Sequence, residues 1–199
     1  MEIIKARKQD IEKIAEIHLD AFQGFFLTSL GKGFLKLYYS CGLKSKESIF
    51  LCALKEEGEF AGFCFGTKLA RGFHKRLIIN NLFSFAIFGI KLFFTRPKAI
   101  LRLMFNLEKK VSDNDDGNYA ELLSIAVSPN TSQKGIGKAL LMAFEAEAKI
   151  NNSKRIALTT DFYDNDSVVS FYLNSGYIRF SEFTAFPDRK MLKFIKDIS

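Results

Sequence analysis

Between Leu122 and Leu141 the chain reads Leu-Leu-Ser-Ile-Ala-Val-Ser-Pro-Asn-Thr-Ser-Gln-Lys-Gly-Ile-Gly-Lys-Ala-Leu-Leu. An apolar run stopping at Pro129 predicts a buried strand, and two glycines, Gly135 and Gly137, follow where a helix begins. The first N–H groups of a helix lack intrahelical partners, and the positive end of the dipole reinforces them, so such a start attracts anions. Glycine removes the Cβ atoms that would hold a bulky diphosphate away from that backbone. Lys134 and Lys138 add positive charge nearby. This spacing supports the grip of a phosphorylated ligand, with a ligand-free strand-to-helix turn as the structural alternative. A dinucleotide fold would need a third glycine and an early place in the chain, and a Walker loop would need Gly-Lys-Ser/Thr. Neither pattern is here.

Other chemistries are poorly supplied. Cys41, Cys52 and Cys64 are more than ten residues apart and odd in number, which argues against a disulfide framework. Nothing near them in sequence would lower a thiol pKa. The two histidines, His18 and His74, have no neighbours suited to a metal site or a Ser-His-Asp triad, so no metal is expected.

The elements that must position the glycine loop follow from periodicity. A weak alternation over residues 2–6 predicts a first strand, and apolar residues from Ile11 to Phe22 predict a helix with Asp10 as its N-cap. A second helix fits Thr28–Cys41. Ser48–Lys55 and Glu59–Lys68 form a hairpin around Glu56-Glu57-Gly58. After residue 118 come a strand (Tyr119–Val127), a helix from Gly135 to Ile150 and a strand (Lys154–Thr160). A helix (Asn165–Ser175) and a closing hairpin turning at Pro187-Asp188 complete the chain. The order predicts one mixed α/β domain over 1–199, interrupted at about 71–118 by an apolar, basic, helical insertion between the third and fourth strands.

That insertion carries the charge. The chain is +7, with 29 Lys and Arg against 22 Asp and Glu. Arg71 to Lys110 holds nine basic residues against the single acid Glu108, a net +8, so the remainder is near −1. Leu77–Thr95 is long and apolar enough to suggest a membrane span. The strands on either side must meet in one sheet, which returns both ends to the same side. Core packing, a dimer interface, a nucleotide-sugar or lipid-linked amino-sugar acceptor, and a bilayer surface remain open for 71–110. Nucleic acid is disfavoured, because the Phe and Leu runs would stay exposed beside the charges. Met1-Glu2-Ile3-Ile4-Lys5 offers no signal-peptide core, so the expected location is the cytoplasm.

Three segments together resemble the GNAT superfamily of N-acetyltransferases. The loop Ser132-Gln133-Lys134-Gly135-Ile136-Gly137 is similar to its acetyl-CoA pyrophosphate loop, Arg/Gln-x-x-Gly-x-Gly/Ala, with Ser132 at the first position. Tyr119-Ala120-Glu121-Leu122 resembles the strand in which a glutamate serves as general base. Asn165 to Tyr177 resembles Asn-x-x-Ala-x-x-Phe-Tyr-x-x-x-Gly-Phe, with Val168 at the alanine position. The likeness is specific over 119–180, is one of element order over 1–68, and is lacking over 71–118.

The resemblance implies a GNAT-like acyl-CoA N-acyltransferase fold. It implies transfer of acetyl from acetyl-CoA directly to a primary amine of a small molecule, an amino sugar or a protein. Glu121 would be the base and Tyr172 the proton donor to the departing thiolate. Ile125, Val127, Ser132, Gln133, Lys134, Gly135, Ile136, Gly137, Lys138, Asn165 and Tyr172 would contact acetyl-CoA, with the backbone N–H near Val127 facing the oxyanion. Against these roles stand a surface carboxylate at 121, a core aromatic at 172, and Asp113, Asp115 or Asp116 as the base. A catalytically silent acyl-CoA-binding or membrane-surface module is the alternative to an enzyme, and a homodimer is compatible with either.

Overall fold

The structure is a computed structural model, and it describes residues 1–56, 58–95, 115–131, 134–185 and 188–199, with no side-chain description for 91–95. Seven strands form one sheet in the order β1-β2-β3-β4-β5-β7-β6. They are β1 (Glu2–Lys5), β2 (Ser48–Leu54), β3 (Phe60–Thr67), β4 (Ala120–Val127), β5 (Arg155–Asp161), β6 (Ile178–Ala185) and β7 (Arg189–Asp197). Among the described strands, only β4 and β5 pair in parallel. This is the mixed α/β sheet read from the sequence.

Helices cover both faces. The first face carries α1 (Ile11–Ala21), the short α2 (Phe26–Ser29), α3 (Lys32–Lys44), α4 (Phe73–Asn80) and α5 (Leu82–Thr95). Ile14, Leu35, Tyr39 and Phe73 bury there against Phe63 and Phe65 of β3. The second face carries α6 (Ile136–Ile150) and α7 (Asp166–Asn174). On α6, Ile136, Leu140, Phe144 and Ala148 recur every four residues and are all buried, so one stripe of the helix meets the sheet. Full burial of side chains such as Leu140 and Phe144 stabilises by about 1.5–3 kcal/mol each.

Local chemistry explains two departures from the sequence reading. The second helix starts at Lys32 instead of Thr28, because Gly31 enters the left-handed φ range (φ 86°) and breaks α2 from α3. Asp10 does not cap α1; its carboxylate accepts the Arg7 backbone N–H at 2.8 Å and pairs with the Arg7 guanidinium. Between β3 and β4 the chain forms α4 and α5, and the rest of the 71–118 segment, residues 96–114, lies outside the described residues.

Candidate active site

β4 and β5 pair only through Ala120–Ile156, Glu121–Ala157 and Leu122–Leu158. Past that point β4 continues to Val127 and β5 to Asp161 with no further pairing between them. On its other edge β4 stays bonded to β3 as far as Val127, opposite Gly62. The sheet therefore opens a wedge, one wall of which is the β4 backbone from Leu123 to Val127.

A bulge prepares the wedge. Ser124 pairs with Phe65 and Leu122 with Gly66, so Leu123 is an extra residue in β4. An inserted residue bends and over-twists its strand. Gly66 permits it: a Cβ there would fall within contact distance of the Glu121 carbonyl oxygen and 2.6 Å from the Phe144 ring. The bulge also reverses the strand's phase. Ala120 and Leu122 bury under α6, whereas beyond Leu123 it is Ile125 and Val127 that pack on that side. Ser124 turns to the other face and meets the Tyr39 hydroxyl at 3.3 Å.

Glu121 lies between Ala120 and Leu122 and so points away from α6, toward the α1–α3 layer. Burial is the main cause of the raised pKa of Tyr38 and Tyr119, and the Glu121 charge adds to both. Tyr38 Oη lies 3.2 Å from His74 Nε2 of α4. Tyr39 Oη is 2.7 Å from His18 Nδ1, and His18 Nε2 is buried without a hydrogen-bond partner among the described residues. Burial lowers the His18 pKa to about 4. Sequence periodicity places Tyr38 on the inner face of α3, but the polar line His18–Tyr39–Ser124 is invisible until α1, α3 and β4 are packed together.

The glycine loop ends at the start of α6. Gly135 adopts φ 86°, caps the helix without a side chain, and would bear a Cβ in open space. The first helical bond runs from the Ala139 N–H to the Gly135 carbonyl at 2.9 Å, leaving the earlier N–H groups outside the helix ladder. Gly137 lies beside the wedge, where a Cβ would stand 3.8 Å from Val127 Cγ2. Ile136 anchors the turn in the core, and Lys134 and Lys138 are exposed beside it. A cleft of about 420 Å³ follows, between Gly135, Gly137 and Lys138 on one side and Phe171, Asn174 and Ser175 of α7 on the other. Ser132 and Gln133 lie outside the described residues.

Tyr172 is buried on the α6–α7 side, in the same cluster as Leu122 and Leu158, the last paired residues of the seam. Its ring packs on Tyr177 and Phe194, and burial raises its pKa. Asn165 stands at the N-cap position of α7 without capping it. Its amide donates instead to Thr160 Oγ1 at 2.7 Å and to the Asp161 carbonyl at 3.0 Å, tying α7 to the end of β5.

Other acids have structural work. Asp115 accepts from Lys193, the Tyr119 hydroxyl and the Gly117 N–H. Burial alone would raise its pKa, but these donors outweigh it and hold the carboxyl below the usual range. Asp116 pairs with Arg155. Asp113 lies outside the described residues. At the mouth of the wedge, Arg189 of β7 pairs with Asp161 of β5 and lies 3.6 Å above the Phe25 ring, holding the α1–α2 loop against the strand ends. All three cysteines are buried, and burial pushes the Cys52 thiol up to about 12. No metal-binding cluster of His, Cys, Asp and Glu exists among the described residues.

The model of the Acetyltransferase (GNAT) family matches residues 11–177. Solved structures of similar fold include Ard1 from Thermoplasma volcanium, with TM-score 0.63, 16% identity, and coverage of 100% of this chain and 97% of that one. A variant of the spermidine N-acetyltransferase of Vibrio cholerae gives TM-score 0.64 at 12% identity, covering 100% and 96%. Naa20 of Chaetomium thermophilum, in complex with a bisubstrate analogue, gives 0.62 at 16% identity, covering 99% and 86%. No curated protein matches the chain in sequence.

Proposed function

This chain belongs to the GNAT acetyltransferase family, and from that premise we propose how its own residues move the acetyl group of acetyl-CoA to a primary amine. Membership makes it an acetyl-CoA-dependent N-acetyltransferase. The observation that carries the site assignment is the wedge between β4 and β5 with the uncapped start of α6 at its side.

The N–H groups of Gly135, Ile136, Gly137 and Lys138 hold the pyrophosphate, with Ser132, Gln133 and Lys134 completing the loop. Lys134 and Lys138 supply countercharge. The pantetheine arm lies along β4 at Ile125 and Val127 and takes up the backbone groups that β5 leaves unpaired; Asn165 and Tyr172 border it. This route brings the thioester into the wedge.

The amine reaches the same point from the α1–α3 face. Glu121 takes a proton from the ammonium group, directly or through water, and the freed nitrogen lone pair attacks the carbonyl carbon. A backbone N–H of β4 near Val127 faces the oxygen on which charge develops. The C–N bond forms as the carbonyl opens to the oxyanion, whose collapse breaks the C–S bond. The Tyr172 hydroxyl gives its proton to the departing CoA sulfur. The second proton leaving the nitrogen restores Tyr172 through water, giving the amide and free CoA. Burial keeps the Tyr172 phenol protonated at neutral pH, so the proton is present to be given. The acceptor is a small amine, an amino sugar or a protein amine, and a second copy of the chain is compatible with any of them.

Calorimetric titration of acetyl-CoA into wild type and Gly137→Glu tests the assignment. Gly137 has ordinary space for a side chain, so the variant introduces charge with little strain. Affinity should fall at least about 100-fold from a carboxylate facing the pyrophosphate. Unchanged affinity removes the loop from the site. Wild-type binding then licenses an acceptor screen of polyamines, amino sugars and peptide N-termini.

A further inference from the structure

α5 has apolar residues on two opposite sides. Phe85 and Phe88 point inward, their rings 6.2 Å and 5.6 Å from that of Phe34. Phe83, Ile87 and Ile90 recur at intervals of four and three on the other side and are 79%, 54% and 64% exposed. Leu82 and Ile79 at the junction with α4 extend this bare surface. A helix that is hydrophobic all round belongs in a core or a membrane, yet among the described residues only one side of this one is packed.

Charge decides what suits the other side. From Arg71 to Leu107 the sequence contains no acidic residue, and Arg71 and Lys75 are exposed at the start of α4. Two copies meeting through this surface would bring the exposed Arg71 and Lys75 of each together, with no acidic residue of the segment to offset them. An anionic lipid surface would neutralise them and take up the aromatic and aliphatic side chains at once. Depth is limited: the 14 residues of α5 span about 21 Å, short of the roughly 30 Å hydrocarbon core. Among the described residues, no helix is long and apolar enough to cross a membrane.

We infer that α5 is a docking face for an anionic phospholipid bilayer, with Phe83, Ile87 and Ile90 inserted at the level of the headgroups. Lys75 and Arg71 face the lipid phosphates. The inference does not depend on acetyl transfer.

The chain contains no tryptophan, so Phe83→Trp gives a single-site fluorescent reporter and Ile150→Trp, exposed on α6 across the sheet, its control. Vesicles of phosphatidylcholine with about 30% phosphatidylglycerol should blue-shift the emission of the Phe83→Trp variant, leave the control unchanged and pellet the wild-type protein. Pure phosphatidylcholine should do so at least about tenfold less well, and salt near 0.5 M should release the protein. The triple variant Phe83→Gln, Ile87→Gln, Ile90→Gln should lose pelleting at least about tenfold with an unchanged melting curve, since all three side chains are exposed. No binding to anionic vesicles at low salt overturns the inference. So does binding that the triple variant retains, which would be charge alone. A wild-type dimer in sedimentation velocity that the triple variant dissolves also overturns it, by assigning the face to a second copy.

Discussion

Glu121 and Tyr172 stand on opposite faces of one sheet, and the divergence of β4 from β5 is what joins the two sides. The amine and the thioester can therefore approach from different layers and meet in the gap. Glu121→Gln should lower kcat by about 100-fold or more, while acetyl-CoA affinity in calorimetry changes less than about twofold. Equal loss of both would return Glu121 to a structural role.

Tyr172→Phe should lower kcat through the leaving thiolate, and the melting temperature should hold, since the ring packing is kept. Because burial raises the phenol's pKa, the proton stays in place through neutral and moderately alkaline pH. The kcat profile should then show no loss assignable to Tyr172 below about pH 10. An alkaline limb near pH 8 that disappears in Tyr172→Phe would contradict this.

Gly66→Ala puts a methyl group against the Glu121 carbonyl and the Phe144 ring. Overpacking of this kind should cost about 1–3 kcal/mol, read from urea unfolding. The same methyl pushes on the bulge, so kcat should fall by more than stability alone explains. A variant as stable and as active as wild type would show that the bulge tolerates the displacement.

His18 has an unfolded pKa near 6.5 and a folded pKa of about 4. Between these values the unfolded chain takes up a proton and the folded one does not, so stability is full above about pH 6.5 and falls as pH drops toward 4. The loss amounts to about 3 kcal/mol at most. Urea unfolding at pH 7 and pH 5 should show this slope in wild type and a shallower one in His18→Gln. The Glu12 carboxylate, lowered to about 2 mainly by its hydrogen bond from Lys32, acts only below about pH 4.5 and leaves the window clear.

Lys193 and Asp115 form a nearly buried ion pair. Lys193→Met alone should destabilise by about 3–5 kcal/mol, because it strands a carboxylate. Adding Asp115→Leu should recover much of that loss. A single variant as stable as wild type would mean that water reaches Asp115.

Much of this architecture is legible in the residues. Alternation gives the strands, the stripe Ile136–Leu140–Phe144–Ala148 gives α6, and the glycine pair with its neighbouring motifs points to the family. What periodicity misses depends on pairing. Nothing between Ala120 and Val127 marks a bulge, since its cause is the missing side chain of Gly66 in another strand. Asn165 is a good capping residue by type, but Thr160 competes for its amide. The described aromatics of α5 divide in the same way, Phe85 and Phe88 going to the core while Phe83 stays outside.

The three-residue seam between β4 and β5 has a consequence for cooperativity. On one side stand β1–β4 with α1, α3 and α6; on the other, β5, β7 and β6 with α7, the last strand lying at an exposed edge. Few backbone bonds cross between these lobes, so each can act as its own folding unit. Native-state hydrogen exchange should show β6 and α7 opening together at a lower free energy than β2 and β3. A ligand lodged along the seam would act as a rivet, raising the exchange protection of the weaker lobe toward that of the stronger.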